Sequence, residues 1–283
     1  MSESSESFAD VNGIKICYKI YGHEDSFPII CVHGFGSKKE TWVAQIGDLS
    51  KKFKVIIFDL RSAGKSDRPE KPYGMDVLAD DIAGLMNFLK IEKAHFMGFS
   101  LGGMIAQHFV LTYPEKVDKL ILICTSAGIP KEGGIEMFRK NQLERIDLIK
   151  KDPEKVFWQD TLRGFHWKFR KEMEENPKKK FYDIWSAEDL IEYIKKNPST
   201  PKDVENQTYC VKTHNTYNRL HEIKNKTLLI AASHDRLVSK ASLIEIHKRI
   251  PNSVYKEIDK AGHEVHRSRA PEVNKLIIDF LLN

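Results

Sequence analysis

The chain has 283 residues, 41% of them hydrophobic, and a formal charge of +5 from 45 Lys and Arg against 40 Asp and Glu. That is room for one large α/β domain, or a core carrying an insertion, with enough apolar content for a sizeable interior. The charges are dispersed rather than gathered into one stripe, which argues against a nucleic-acid partner. No apolar run approaches the ~20 residues that span a bilayer, so no membrane segment is expected.

The first residues, Met1-Ser2-Glu3-Ser4-Ser5-Glu6, are polar and acidic and lack the basic and apolar regions of a secretion signal; a cytoplasmic address is expected. Asn12-Gly13 reads as the turn of an opening hairpin. Short apolar runs follow at 14–20, 28–32, 55–58, 95–99, 120–124, 228–232 and 254–258, interleaved with helical patterns at 77–89, 104–111 and 271–282. This alternation predicts a mostly parallel central sheet with helices on both faces. Val55-Ile56-Ile57-Phe58 and Leu120-Ile121-Leu122-Ile123 are apolar throughout, as strands covered on both faces should be.

The alternation stops near Ser126 and resumes near Thr227. Residues 131–212 carry no clear strand pattern and read as amphipathic helices broken by Pro153, Pro177, Pro198 and Pro201. The expected organisation is a core over 1–130, a helical cap over 131–212 and the rest of the core over 213–283. Trp158, Trp167 and Trp185 lie in the cap, with Phe138, Phe157, Phe165, Phe169, Phe181 and Tyr182. Rings in that number are expected to pack on one another and to roof an apolar pocket. Lys178-Lys179-Lys180 stands among Glu172, Glu174 and Glu175 and reads as a solvated helix face. Cys17, Cys31, Cys124 and Cys210 form no CxxC pair, which speaks against a disulfide framework or a zinc site. Three of them sit in apolar strand-like runs, where a free thiol behaves as a small hydrophobe.

The strongest chemical signal is Gly98-Phe99-Ser100-Leu101-Gly102-Gly103, between an apolar strand and a helix. A nucleophile at so sharp a turn sits in strained backbone, and side chains two residues to either side would collide, so glycine is needed at both flanks. A serine hydroxyl needs an adjacent base. His263, in Ala261-Gly262-His263 between the last strand and the final helix, is the candidate, with the glycine letting the chain turn. The candidate acid is Asp235, directly after the strand at 228–232, because open α/β sheets place their ligands at the carboxyl ends of strands. Asp259 is the other carboxylate near His263 and reads as a surface or turn residue. The remaining histidines, His108, His166, His214, His221, His247 and His266 among them, show no metal-ligand spacing and read as surface or packing residues; no metal is assigned. With no GxGxxG after a strand and no P-loop lysine, no nucleotide cofactor is indicated.

The order Ser100, Asp235, His263 is that of the α/β-hydrolases, and the resemblance covers nearly the whole chain. Val32-His33-Gly34-Phe35-Gly36 looks like that family's oxyanion loop, followed by Trp42 at a common family position. Asp59-Leu60-Arg61-Ser62-Ala63-Gly64-Lys65-Ser66 is similar to its DxRGxGxS turn, with Ser62 where glycine is usual. Leu111-Thr112-Tyr113-Pro114-Glu115-Lys116-Val117 resembles the end of its nucleophile helix. The resemblance implies oxyanion donors at the backbone N–H of Phe35 and Leu101, with His33 holding that loop in place. It also implies a cofactor-free serine hydrolase of the carboxylesterase type, acting on a small-molecule ester of a small to medium apolar acyl group. A serine at the elbow sets the chain apart from the haloalkane dehalogenases and epoxide hydrolases of this fold, which use aspartate there. Enol-lactonases and C–C bond hydrolases carry similar elbows, and some members are ligand receptors.

Overall fold

The computed structural model describes residues 5–128 and 133–283. Residues 1–4 of the acidic N-terminal stretch and the expected boundary at 130/131 lie outside them. The strands are β1 (Ser7–Val11), β2 (Ile14–Tyr21), β3 (Pro28–Val32), β4 (Lys54–Phe58), β5 (Ala94–Phe99), β6 (Val117–Ile123), β7 (Lys226–Ala232) and β8 (Ser253–Ile258). They form one sheet in the order β1-β2-β4-β3-β5-β6-β7-β8. Asn12 and Gly13 turn the β1–β2 hairpin with positive φ at both residues. The β1–β2 and β2–β4 pairs are antiparallel, and every later pair is parallel. Against the sequence reading the strand limits move by up to three residues. The largest change is β6, which starts at Val117 because its pairing with β5 begins at Ala94.

Strand alternation divides the interior into two layers. Ile30, Ile56, Phe96, Leu120 and Leu122 face one side. There they meet α2 (Met75–Phe88) through Leu78, Ile82 and Leu85, and α3 (Leu101–Thr112) through Ile105 and Phe109. Leu243 and Ile246 of α9 (Lys240–Arg249) belong to the same layer. Ile29, Cys31, Ile57, Met97 and Ile121 face the other side, against α1 (Val43–Leu49) and α11 (Ala270–Leu282). Each large apolar side chain so buried contributes roughly 1.5–3 kcal/mol, which fixes the strand register firmly. A one-residue slip would exchange the two layers.

Five α-helices stand among the described residues between β6 and β7: α4 (Gly134–Lys151), α5 (Pro153–Gly164), α6 (Trp167–Glu175), α7 (Ala187–Lys195) and α8 (Pro201–Thr213). Pro153 and Pro201 open helices rather than break them, since a first-turn residue has no intrahelical N–H bond to lose. Their common core holds Phe157, Phe165, Met173, Phe181, Trp185 and Leu190, set on Ala44 and Ala270 of the layer below. Most of the expected aromatic rings therefore pack on one another, while Trp167 is exposed. The Lys178–Lys180 run is solvated, but it lies in the turn after α6, which ends at Glu175 ahead of Pro177, and not on a helix face. It pairs with Glu172, Glu188 and Asp189. The four cysteines are free and buried. Between β8 and α11 lies the short α10 (Val265–Ser268), and no described helix is long and apolar enough to cross a membrane.

Candidate active site

Three loops leave the carboxyl ends of the parallel strands β5, β7 and β8 at one end of the sheet and carry Ser100, Asp235 and His263. β5 passes into α3 through Ser100, whose φ of 54° and ψ of −118° lie outside the regions an L residue prefers; such a conformation costs of order 1–3 kcal/mol. The turn is tight enough that a Cβ on Gly98 would stand 2.4 Å from the Gly102 carbonyl oxygen. One on Gly102 would stand 2.0 Å from that of Val32. The Ser100 backbone is pinned on both sides. Its N–H donates to the Ile123 carbonyl at 2.9 Å, and its own carbonyl accepts from the Thr125 hydroxyl at 2.7 Å.

His263 follows β8, and its Nδ1–H donates to Asp235 Oδ2 at 2.7 Å. The carboxylate is 1% exposed, and its other oxygen accepts the N–H groups of Leu237 and Val238 at 2.8 and 2.9 Å. Burial works to raise the Asp235 pKa, but the hydrogen bond and charge of His263 and these two amides outweigh it, leaving the group below its usual value and ionised. With Nδ1 so committed, Nε2 is the ring nitrogen left for another partner. Asp259, by contrast, is 73% exposed beside Lys260. Gly262 serves a different need from the one its sequence suggested. Its φ is not positive; instead a Cβ there would stand 2.6 Å from the Gly164 carbonyl oxygen at the end of α5. The glycine lets an inserted helix close onto the loop that carries His263.

Ser100, His263, Phe35 and Leu101 line one cavity of about 580 Å³ under the inserted helices, with Phe138, Phe157 and Phe165 among its walls. Leu101 opens α3, so its amide belongs to the turn that has no intrahelical acceptor. His33 donates from Nδ1 to the Gly34 carbonyl and accepts the Leu60 N–H at Nε2. Its burial lowers its pKa and keeps it neutral, so it braces the loop. His266 is fully buried between the rings of Trp42 and Phe99 and is neutral for the same reason.

Several residues at the site carry no signal in the sequence, because only the fold brings them near. Gln207 of α8 accepts the Gly36 N–H at 2.9 Å and donates to the Ser62 carbonyl at 2.9 Å. Tyr193 of α7 takes the Lys38 N–H on its hydroxyl, which also bonds Ser37 Oγ. The loop of Phe35 is thus tied to two inserted helices. Ser62 itself has a φ of 60°, the left-handed region that explains why glycine is the usual residue there. Cys124 is the third surprise. Its Sγ lies within 4.8 Å of the ligand atoms of Asp235 and His263. Burial, the Asp235 charge and a hydrogen bond to that carboxylate hold the thiol well above its ordinary pKa. Its thiol is held protonated beside Asp235.

Residues 28–269 match a family described as alpha/beta hydrolase fold. The AB hydrolase superfamily protein YisY of Bacillus subtilis is 27% identical over 258 residues, covering 89% of this chain and 91% of that protein. The enol-lactonase from Burkholderia xenovorans LB400 superposes with a TM-score of 0.82 at 24% identity, over 98% of this chain and all of its own. A thermophilic esterase from Thermogutta terrifontis does so with a TM-score of 0.80 at 23% identity, over 98% of both chains. Both structural likenesses, at that identity, concern the fold.

Proposed function

The chain belongs to the alpha/beta hydrolase fold family, and from that premise we propose that it is a serine esterase working through an acyl-enzyme. The observation that carries this reading is the convergence of strained Ser100 and the Asp235-bound imidazole of His263 on one cavity. In the proposed cycle Ser100 Oγ attacks the ester carbonyl while His263 Nε2 takes its proton. The oxyanion is met by the N–H groups of Phe35 and Leu101, and the alcohol departs with the proton from His263. Water, deprotonated by the same nitrogen, then releases the acid and restores Ser100. Asp235 stays ionised throughout and holds the imidazole in the tautomer with Nδ1–H.

Helices α4–α8 act in this reading as a cap. The Phe138, Phe157 and Phe165 walls and the cavity's volume suit a small to medium apolar acyl group rather than a sugar or a long peptide. A lactone is an internal ester and fits the same steps. The test is hydrolysis of p-nitrophenyl esters from acetate to palmitate, with Ser100→Ala as control. Turnover should peak at short acyl chains and fall by at least about 10³-fold in the variant. Turnover of no ester or lactone, or an active Ser100→Ala protein, would overturn the assignment.

A further inference from the structure

The cavity wall carries an excess of positive charge that the proposed triad does not use. Its charged lining is Lys38, Arg145, Arg163 and Arg267 against Asp160 and Glu264. Arg145 is paired with Asp160 at 2.7 Å, and Arg163 stands in solvent. Lys38 and Arg267 differ in being buried, at 7% and 6% exposure. Both lie against one ring: Lys38 Nζ is 4.3 Å from the Tyr193 centroid and Arg267 Cζ is 5.2 Å from it. The two cations are therefore within about 10 Å of each other in a site of low dielectric, where like charges repel strongly.

Their counter-charge is incomplete. Among the described residues no carboxylate pairs with Lys38; the nearby Glu40 and Asp59 are both taken by Lys39. Two of the three ammonium hydrogens of Lys38 go to the Tyr193 and Lys196 carbonyls at the end of α7, which leaves the third free. Arg267 places Nη1 3.1 Å from Glu264 and donates from Nη2 to Thr41 Oγ1 at 3.0 Å, yet its Nε is buried without a partner. Glu264 is thus the acid that pairs with Arg267, and among the described residues none pairs with Lys38. Burial, reinforced by Lys39 and Arg267, outweighs the pull of Glu40 and Asp59 and brings the Lys38 pKa down to about 8, which leaves it protonated at neutral pH. A buried ammonium held by carbonyls but by no carboxylate is still costly, and a bound anion would lower that cost.

We propose that Lys38 and Arg267 form a subsite for a carboxylate on the substrate, so that the preferred ester has an apolar body and one anionic end. This rests on the esterase reading for the nature of the reacting group but not for the binding of the anion. The test uses the Ser100→Ala protein, which cannot form the acyl-enzyme, and calorimetric titration with monomethyl adipate and with its neutral counterpart, dimethyl adipate. The monoanion should bind at least about tenfold tighter than the diester. Lys38→Gln and Arg267→Gln remove charge while keeping a donor, and the double variant should bring the two affinities together. Each variant is compared with its own affinity for the diester, so a general loss of fold does not imitate a loss of discrimination. Equal binding of the two ligands by Ser100→Ala, or a preference untouched in both single variants, would overturn the subsite. A preference for the monoanion beside complete inactivity of the parent protein on every ester would support the subsite and overturn the reaction.

Discussion

Asp235 and Asp259 flank the same histidine in space and in sequence respectively, and burial separates their roles. Asp235 is held by His263 and two backbone amides, whereas Asp259 stands in solvent. Replacing Asp235 by Asn keeps the shape but presents an amide that no longer fixes the Nδ1–H tautomer. We expect kcat to fall by about 10³–10⁴-fold, while Asp259→Asn stays within about threefold of the parent. Steady-state kinetics on one short ester decides the matter, and comparable losses in the two variants would leave the acid unassigned. The positions of Ser100 and His263 were legible because their neighbours declare the local geometry: glycines at a strand-to-helix turn, a glycine before a loop histidine. The carboxylate was not uniquely legible, since either candidate follows a strand. Cys124 was illegible altogether. A thiol in an apolar run carries no mark of the carboxylate that the neighbouring strand will bring beside it.

At the scale of elements, the sheet and its covering helices could be read from periodicity. Strands buried on both faces are apolar without interruption, and residues 55–58 of β4 and 120–123 of β6 are so. The inserted helices announced themselves only as amphipathic segments. Which face meets which partner is settled by tertiary contact, and so the ties from α7 and α8 to the Phe35 loop left no trace in the sequence. Those ties have a testable consequence. Gln207→Leu leaves the Gly36 N–H and the Ser62 carbonyl without their partner; an unmade buried hydrogen bond costs about 1–3 kcal/mol. If Gln207 positions the Phe35 amide, kcat should fall about tenfold with KM changed less than twofold. Affinity for a boronic acid that forms a tetrahedral adduct with Ser100 should fall in parallel. A purely structural role would instead lower the melting temperature and leave kcat per folded molecule unchanged. Tyr193→Phe, which removes only the hydroxyl that holds Ser37 and Lys38, should shift the same two quantities in the same direction.

The molecule as a whole buries several imidazoles in their neutral form, and this sets how it responds to acid. His95 lies against the rings of Phe27 and Phe53, and burial lowers its pKa to about 4 despite the opposing charge of Asp118. His108 and His214 share a hydrogen bond between α3 and the end of α8, and burial brings each to about 4. In the unfolded chain all three take up protons near pH 6.5. Between about pH 6.5 and 4 the unfolded state therefore binds protons that the folded state refuses, and stability falls as the pH falls. Above 6.5 both states are neutral and the full stability is present. Each such group adds up to about 1.4 kcal/mol per pH unit to the slope inside that window. Urea denaturation at pH 7, 6 and 5 should show the loss before most carboxylates titrate. His95→Phe keeps a ring between Phe27 and Phe53 but cannot take up a proton, so its unfolding free energy should vary with pH less steeply than the parent's, by up to about 1.4 kcal/mol per pH unit. An unchanged slope would place the acid sensitivity elsewhere, in the His108–His214 pair or in the buried His33 and His266; Asp81, whose pKa burial raises despite the Arg61 ion pair, gains protons on folding and works in the opposite direction.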